Sequence, residues 1–476
     1  MKSILKHLKY KKDYQPNTVY WGLGIENEVY LELSSKRVNK IFLTNTKRER
    51  YSIDYFSNYK NDLALKKYIN LLNEFVTLPI LLNSHTFLNT DHLGNSKTLY
   101  TKSNEPNPQF IGKTLIETLI EYDSYFKNNP TWLFDGDTIE FTTNNFFNVT
   151  LEEILNELND TKTEFTDRLN KRLNSVKIME KNYPFAIYLT NKTNVSMFNN
   201  GTLHYNITLP TKLNSKCLIE DFDTFKNVHC KAIRIIQWME PFLIAVYGSP
   251  DPLSVIDNSY SKCSQRCAVS RYIGIGTYNT ETMEIGKIMT TKNKPDWYRT
   301  YYGFNGYTEL NEVGMDINFN KHHNHGIELR FLDHLSSEKI NESFEFIIYL
   351  MDYIFKKSID NPVKNKNWND LVVDVMKNGK YHILTKKEKK EYTKLFGKIS
   401  GKTVIDIYYS IYSKLLLKYN KIIKMKNYNE LAQPLVGFSN SDKFNAVGPF
   451  SKLALQMRNK NDYTFLKLKK SFSCFN

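Results

Sequence analysis

The sequence predicts an α+β protein: a curved antiparallel sheet backed by helices through residue 340, then a mainly helical C-terminal part. Three observations carry this. Segments that alternate apolar and polar residues are spread over the first 335 residues, the period of two that a strand with one covered face imposes. Helical patterns lie between them. Residues 230–247 read as a buried helix halted at Gly248-Ser249-Pro250, and Thr150-Leu151-Glu152-Glu153 reads as a capping-box start to another. Beyond 341 helical spacing dominates. Val404, Ile407, Tyr408, Ile411, Leu415 and Ile422 recur with lysines between them, which predicts one core face and one solvated face. The switch sets a domain boundary near 340, between residues 1–340 and residues 341–476.

Composition narrows the class. A chain of 476 residues with 41% hydrophobic and 24% charged residues can bury a large core, which excludes a disordered protein. The most apolar stretches, 233–247 and 344–355, are too short to span a membrane. The Lys-rich first twelve residues are followed by no apolar run, which argues against a signal peptide. Five scattered cysteines, an odd number, do not make a disulfide framework. The expectation is a reduced, cytoplasmic protein. Richness in Asn, Lys and Ile follows AT-rich coding, common in large DNA viruses, some protists and some bacteria; a viral source would mean host cytoplasm or the virion. Residues 341–476 hold 25 Lys and Arg against 12 Asp and Glu, so +13 of the +15 net charge sits there and +2 on the first 340 residues. That asymmetry suggests an anionic partner for the C-terminal region, set against lysines that do no more than solvate helix faces.

Four of the alternating segments share one design. In Gly24-Ile25-Glu26-Asn27-Glu28-Val29-Tyr30-Leu31-Glu32-Leu33, Glu26, Glu28 and Glu32 fall on one face and Ile25, Val29, Leu31 and Leu33 on the other. Thr138-Ile139-Glu140-Phe141-Thr142 sets Glu140 opposite Ile139 and Phe141. Leu203-His204-Tyr205-Asn206-Ile207-Thr208-Leu209 groups His204, Asn206 and Thr208. Ile327-Glu328-Leu329-Arg330-Phe331 pairs Glu328 with Arg330. Taken singly, each is an ordinary half-exposed strand. Together they present carboxylates, one imidazole, one amide and one guanidinium, where solvated strands favour Thr, Lys and mixed polar residues. Glu26 and Glu28 on one face repel each other unless a cation or solvent intervenes. A curved sheet would gather the four polar faces into one hollow. Hard oxygen donors with one imidazole suit Mg²⁺ or Mn²⁺, and an arginine two residues from a ligating glutamate can reach a phosphoryl oxygen. The chemistry indicated is phosphoryl transfer from a nucleotide, without a Walker-type or kinase-type glycine loop.

The same segments resemble a known family. Gly24-Ile25-Glu26-Asn27-Glu28 resembles the G-x-E-x-E strand of the glutamate–cysteine ligases and related amidoligases of the glutamine synthetase superfamily. Asp135-Gly136-Asp137-Thr138-Ile139-Glu140-Phe141-Thr142 is similar to the family's acidic residue followed by E-F-x-T, and His204-Tyr205-Asn206 to its H-x-N strand. The run from Glu240 to Pro250 looks like its apolar helix and small-Ser-Pro turn. Arg266 and Arg271 lie where it carries a nucleotide- or substrate-contacting arginine, and Glu328-Leu329-Arg330-Phe331-Leu332-Asp333 resembles its E-x-R-x-x-D strand. These pieces occur in the family's order over roughly residues 20–335.

The resemblance implies Mg²⁺ ligands at Glu26, Glu28, Asp135, Glu140, His204 and Glu328. It also implies catalytic roles for Glu328 and Arg330, nucleotide or acyl-phosphate contacts at Arg266, Arg271 and Asn206, and a glutamine synthetase-like sheet. The implied activity is ATP-dependent amide formation between a small-molecule or peptide carboxylate and an amine. Asp135 and Glu140 stand closer together than the family pattern, which leaves Asp137 as the acidic partner, or none, as alternatives, and no cysteine- or glutamate-recognition signature is present. The competing function is a non-catalytic nucleic-acid-binding or virion-associated protein that works through the basic C-terminal region.

Three further clusters read as structural. His322-His323-Asn324-His325 lacks the Cys or carboxylate spacing of a tetrahedral site. Cys263 and Cys267 read as packing residues. The group of Trp297, Tyr298, Arg299, Tyr301, Tyr302 and Tyr307 reads as loop packing, with base stacking as its alternative.

Overall fold

The segment around Glu26 and Glu28, alternating except at Asn27, becomes the long strand β1 (Val19–Leu33), on which the sheet is assembled. The computed structural model describes residues 19–33, 80–82, 86–88, 93–95, 115–127, 129, 131–135, 138–143, 151–173, 176–179, 185–188, 195–197, 202–212, 214–216, 218–248, 263–264, 278–285, 317–319, 326–354 and 358–423. After β1 come β2 (Ile80–Leu82), β3 (Thr86–Leu88), β4 (Leu93–Asn95), α1 (Leu115–Tyr122), β5 (Trp132–Asp135), β6 (Thr138–Thr142) and α2 (Leu151–Leu173). Next are β7 (Val176–Met179), β8 (Phe185–Tyr188), β9 (Val195–Met197), β10 (Thr202–Lys212) and α3 (Phe222–Tyr247). The chain continues through β11 (Tyr278–Asn279), β12 (Glu284–Ile285), β13 (Ile317–Asn318), β14 (Ile327–Leu332) and α4 (Ser337–Ile354). It ends, among the described residues, in α5 (Lys366–Asn378), α6 (Lys386–Phe396) and α7 (Val404–Ile423).

Ten strands form an open sheet ordered β13-β14-β10-β1-β2-β8-β9, with β6 and β7 also on β1 and β5 on β6. The α+β class holds. Its pairs are antiparallel except β2 with β8, which run parallel; the chain between them includes α1 and α2, ample for the crossover that parallel neighbours require. All four alternating segments are strands, and three of them lie side by side in the order β14-β10-β1 with β6 on the far side of β1. Two register shifts interrupt the ladders. Between Tyr20 and Gly22 of β1, the partner strand β10 carries an extra residue around Leu209 and Pro210. Proline has no N–H for a ladder, so a bulge is where a strand tolerates it. The Leu209 N–H instead donates to His229 Nε2 of α3 at 3.0 Å, while Nδ1 of the same ring donates to Phe225 O at 2.7 Å.

Helices cover the apolar face. Tyr205 stacks on Phe344 of α4 with ring centroids 3.9 Å apart, and its hydroxyl hydrogen-bonds Ser343 Oγ at 2.7 Å. The helix read from residues 230–247 is α3, which begins earlier, at Phe222 with Asp221 as its N-cap, and stops at Gly248 as expected. A side chain there would strike Ile244 O and Cys263 O, so only glycine admits this approach of chain to helix end. Helix α2 starts at Leu151, next to the Thr150 expected to cap it; Thr150 lies outside the described residues. Val404, Ile407, Tyr408, Ile411 and Leu415 are buried along α7, as their spacing requires.

The C-terminal helices pack onto α3 through buried polar bonds as well as apolar contact. Trp368 Nε1 donates to Gln237 O at 2.8 Å, the Tyr392 hydroxyl donates to Trp238 O at 2.8 Å, and the Tyr247 and Tyr408 hydroxyls meet at 2.6 Å. Tyr247 also donates to Glu342. Glu345 accepts from Tyr349 and Tyr412. Among the described residues, Cys230 and Cys263 are buried, the latter against Met376, and no helix is long and apolar enough to cross a membrane.

Two outcomes test this packing. Gly326 holds φ at +70° at the entrance to β14, and a β-carbon there would lie 2.5 Å from Ile207 O. Gly326→Ala therefore lowers unfolding free energy by about 2 kcal/mol or more in urea titration; a loss inside experimental error would refute the close approach. Burial raises the Glu345 carboxyl above its ordinary value of 4.5, against the hydrogen bonds from Tyr349 and Tyr412 that lower it. The folded chain thus holds this proton more tightly than the unfolded one. Its contribution to stability is complete below pH 4.5 and declines as pH rises through the folded value. Glu345→Gln, which cannot ionise, flattens that decline in unfolding free energy measured across pH, and an unchanged slope would assign it elsewhere.

Candidate metal and phosphate site

Strand pairing fixes which polar residues become neighbours. Glu26 lies between Thr142 of β6 and His204 of β10; Glu28 lies between Glu140 and Thr202. Gly24 pairs with Asn206, Asn206 with Glu328 of β14, and Glu328 with Asn318 of β13. Residues opposite each other across an antiparallel pair share a face. One face of the sheet therefore collects Glu26, Glu28, Glu140, His204, Asn206 and Glu328 from segments far apart along the chain.

That face is not solvated. Glu26 and Glu28 are 6% and 7% exposed, His204 2%, Asn206 0% and Glu328 1%, while Glu140 is half-buried. A strand whose polar side merely meets water would expose these groups instead.

His204 sits at the centre. Its Nδ1 lies 3.2 Å from Glu26 Oε2 and 3.7 Å from Glu328 Oε1, and its Nε2 lies 3.7 Å from Glu28 Oε1. Ligand atoms of Glu26, His204 and Glu328 all fall within 4.8 Å of one another. Two carboxylates are held from the side away from the histidine. Thr202 Oγ1 donates to Glu28 Oε2 at 2.5 Å, and Asn318 Nδ2 donates to Glu328 Oε2 at 3.0 Å. Each bond leaves the second oxygen, Oε1, turned towards His204. Arg330 Nη1 lies 3.9 Å from Glu328 Oε1, with the arginine side chain 17% exposed.

Alternation puts Glu328 and Arg330 on one face, and the second register shift follows directly, opposite His204. Between the pairs Leu203–Leu332 and Tyr205–Leu329, β14 carries one extra residue opposite His204. This lets both Phe331 and Leu332 be buried while Arg330 stays partly exposed. Just after β14, Asp333 accepts a hydrogen bond from Ser264 Oγ at 3.0 Å, with both residues fully buried. The carboxylate that ends the E-x-R-x-x-D motif thus anchors the chain two residues before Arg266.

The donor set suits a hard divalent cation. Carboxylates with one imidazole form an oxygen-rich group, and buried anions at these separations are costly without a compensating positive charge. Both polar atoms of the Asn206 side chain and Thr208 Oγ1 are buried with no hydrogen-bond partner, a rare condition inside a folded protein that a bound polar ligand relieves.

Of the residues singled out in the sequence, Glu26, Glu28, His204 and Glu328 converge, with Asn206 and Arg330 beside them. The backbone of Glu140 lies opposite Glu28, and its carboxylate is outside the close group of Glu26, His204 and Glu328. Asp135 pairs with Thr138 at the end of β5, and its side chain is outside the description. Arg266, Arg271, Asp137, Cys267, the histidines at 322, 323 and 325 and the cluster 297–307 also lie outside the described residues. Sequence reasoning missed Thr202 and Asn318. Thr202 has the same parity as His204, one residue before the segment that was read; Asn318 sits in a two-residue strand too short to show a period.

Removing the amide that orients Glu328 should loosen any cation held there. Mn²⁺ binding to Asn318→Ala, followed by electron paramagnetic resonance, weakens about 10-fold or more relative to the parent chain. Equal affinities would separate Asn318 from the site.

No family profile matches the chain. A crystal structure of a bifunctional glutathione synthetase from Pasteurella multocida aligns with 96% of this chain at a TM-score of 0.37 and 10% identity. The chain spans 54% of that structure's length, and so low a score does not establish a common fold. In sequence, the chain is 38% identical over 445 residues to the protein named "Uncharacterized protein R704" of Acanthamoeba polyphaga mimivirus, covering 89% of this chain and 78% of the relative. On that identity and coverage, the chain belongs to the same family as the mimivirus protein R704.

Proposed function

We propose that this protein is an ATP-dependent carboxylate–amine ligase, built on a glutamine synthetase-like sheet in residues 1–340 and followed by a basic C-terminal region, residues 341–476. The observation that carries the reading is the burial of Glu26, His204 and Glu328 within mutual ligand distance on one sheet face, beside Arg330. In this reading Glu26, Glu28, His204 and Glu328 hold Mg²⁺ or Mn²⁺, with Glu140 and Asp135 as further ligands from β6 and β5. Bound there, the cation neutralises phosphate oxygens of ATP and stabilises charge that builds up during transfer. Oxygen-rich ligation and the unpartnered Asn206 amide both fit such an occupant.

The residues of the chain then divide the remaining work. An oxygen of the acid substrate, for which the γ-carboxylate of glutamate or a peptide carboxylate is our assignment, attacks the γ-phosphorus, and ADP leaves. The Arg330 guanidinium, beside Glu328, contacts the transferred phosphoryl group, where positioning and charge complementarity dominate the barrier. Arg266 and Arg271 contact nucleotide or acyl phosphate, as does the Asn206 amide. The amine nitrogen attacks the acyl carbon, phosphate departs, and a proton is lost from the amine to leave an amide. The sheet face excludes water from the acyl phosphate because its polar groups are buried. We place the protein in the cytoplasm, that of a host cell if it shares the viral source of its relative.

A second reading keeps the fold without the reaction. Lys386, Lys387, Lys389, Lys390 and Lys394 all lie on α6, within the region that carries +13 of the net charge; they suit a polyanion such as nucleic acid, or a role in a virion. Thermal shift separates the two. A ligase gains stability with Mg²⁺–ATP by mass action, whereas a polyanion-binding protein is indifferent to it and shows salt-sensitive affinity instead.

The ligase reading is tested by phosphate release with Mg²⁺–ATP over a panel of acids and amines. With an active pair in hand, Glu328→Gln and Arg330→Ala each reduce turnover by at least about 10²-fold. Near-parental turnover in both variants would remove these residues from the reaction.

A further inference from the structure

A second group of metal-ligating side chains lies in the helical layer, apart from the sheet. Asp374 on α5, His382 in the turn that follows and Glu388 in the first turn of α6 place one ligand atom each within 4.8 Å of one another. We propose that these three residues form a second cation site, selective for Zn²⁺ over Mg²⁺, that ties the end of α5 to the start of α6.

The backbone that presents these side chains is held before any ion arrives. His382 N–H donates to Gly379 O at 3.0 Å, and His382 O accepts from Val404 N at 2.9 Å. The adjacent Ile383 forms a bridge with Thr403. Glu388 belongs to a full capping box, accepting from Thr385 N at 2.6 Å through Oε2 while its own N–H donates to Thr385 Oγ1 at 3.2 Å. That bond uses one oxygen and fixes the carboxylate, which is part of a residue only 5% exposed.

The histidine is the group the capping box does not explain. Its side chain is 13% exposed, and Nε2 is buried with no hydrogen-bond partner, 4.0 Å from Glu388 Oε2. That separation is too long for a hydrogen bond, yet it suits two ligands that share an ion. Tetrahedral Zn²⁺ ligands at about 2.1 Å from the metal stand roughly 3.4 Å apart, so small side-chain rotations close the group. His382 Nδ1 lies 3.3 Å from the Asn378 side-chain amide. The two ends of an amide are assigned by their surroundings. With its oxygen towards Nδ1, Asn378 accepts the Nδ1 proton and leaves the Nε2 lone pair for a metal, the usual outer partner of a ligating histidine. Lys389, next to Glu388 in α6, is directed elsewhere: its Nζ donates to Gly401 O at 2.7 Å.

One imidazole and two carboxylates, with a fourth position open to water, form a Zn²⁺ ligand set; Mg²⁺ favours oxygen and keeps its own waters. The three ligands lie on two helices and their connecting turn, so an ion here acts on the geometry of that corner and adds to the stability of the folded chain by mass action.

The experiment uses the full-length chain carrying Glu26→Gln and Glu328→Gln, which weakens the sheet site, after treatment with a chelator. Calorimetric titration with Zn²⁺ is expected to show one ion per chain and a raised melting temperature, with no comparable response to Mg²⁺. Adding His382→Ala abolishes this uptake, and adding Asp374→Asn weakens it by about 10-fold or more; both chains fold, as judged by an unchanged melting temperature without metal. The proposal is overturned if the starting chain takes up no Zn²⁺, or if His382→Ala and Asp374→Asn each leave the affinity within about 10-fold of it.

Discussion

The alignment of β1 against β10 governs everything on the polar face. Side chains alternate along a strand, so a slip of one residue would turn Glu26 and Glu28 to the helix side and bring Ile25 and Val29 to the other. The pairs Glu26–His204 and Gly24–Asn206 hold that alignment, and the covering helices enforce it from behind. Tyr205 is locked to Phe344 and Ser343, and the Leu209 N–H released by the bulge is taken up by His229. Gly326 completes the arrangement. Its left-handed conformation lets β14 begin against Ile207 and places Glu328 opposite Asn206.

Burying carboxylates is expensive, and the way this face meets the cost is informative. Thr202 and Asn318 each satisfy one oxygen of a glutamate and leave the other directed at His204. The unpartnered Asn206 amide and Thr208 hydroxyl lie along the same strand as the histidine. Buried polar atoms without a partner, next to grouped carboxylates and an imidazole, fit a polar occupant of this face.

The helices beyond the sheet obey a different economy. Trp368, Tyr392 and Tyr408 insert apolar rings against α3 while their polar atoms reach its carbonyls or the Tyr247 hydroxyl. Such contacts are worth most when both the ring and its polar tip are satisfied. They hold α5, α6 and α7 against the helix that backs β10 and β14, so the basic surface of α6 and the polar face of the sheet belong to layers joined through α3. Capping supplies the remaining order: Thr385 with Glu388 starts α6, and Asp406 accepts backbone N–H groups at the entry to α7.

By itself the sequence determined the local periods. Alternation located all four site-bearing strands and sorted Glu26, Glu28, His204, Asn206, Glu328 and Arg330 onto their polar sides; Gly248 marked the end of α3; and the spacing from Val404 to Leu415 identified the buried stripe of α7. These follow from backbone geometry, which repeats over a few residues and is therefore written in neighbouring letters. Tertiary structure alone decided which strands are neighbours, that β2 and β8 run parallel, and that the polar face is enclosed. It also brought in Thr202 and Asn318. The pairings of β1 with β6 and β10, and of β10 with β14, join residues separated by more than a hundred positions, and burial depends on what packs above a face. Neither leaves a periodic trace along the chain, because both are set by the register of ladders and the cover laid over them.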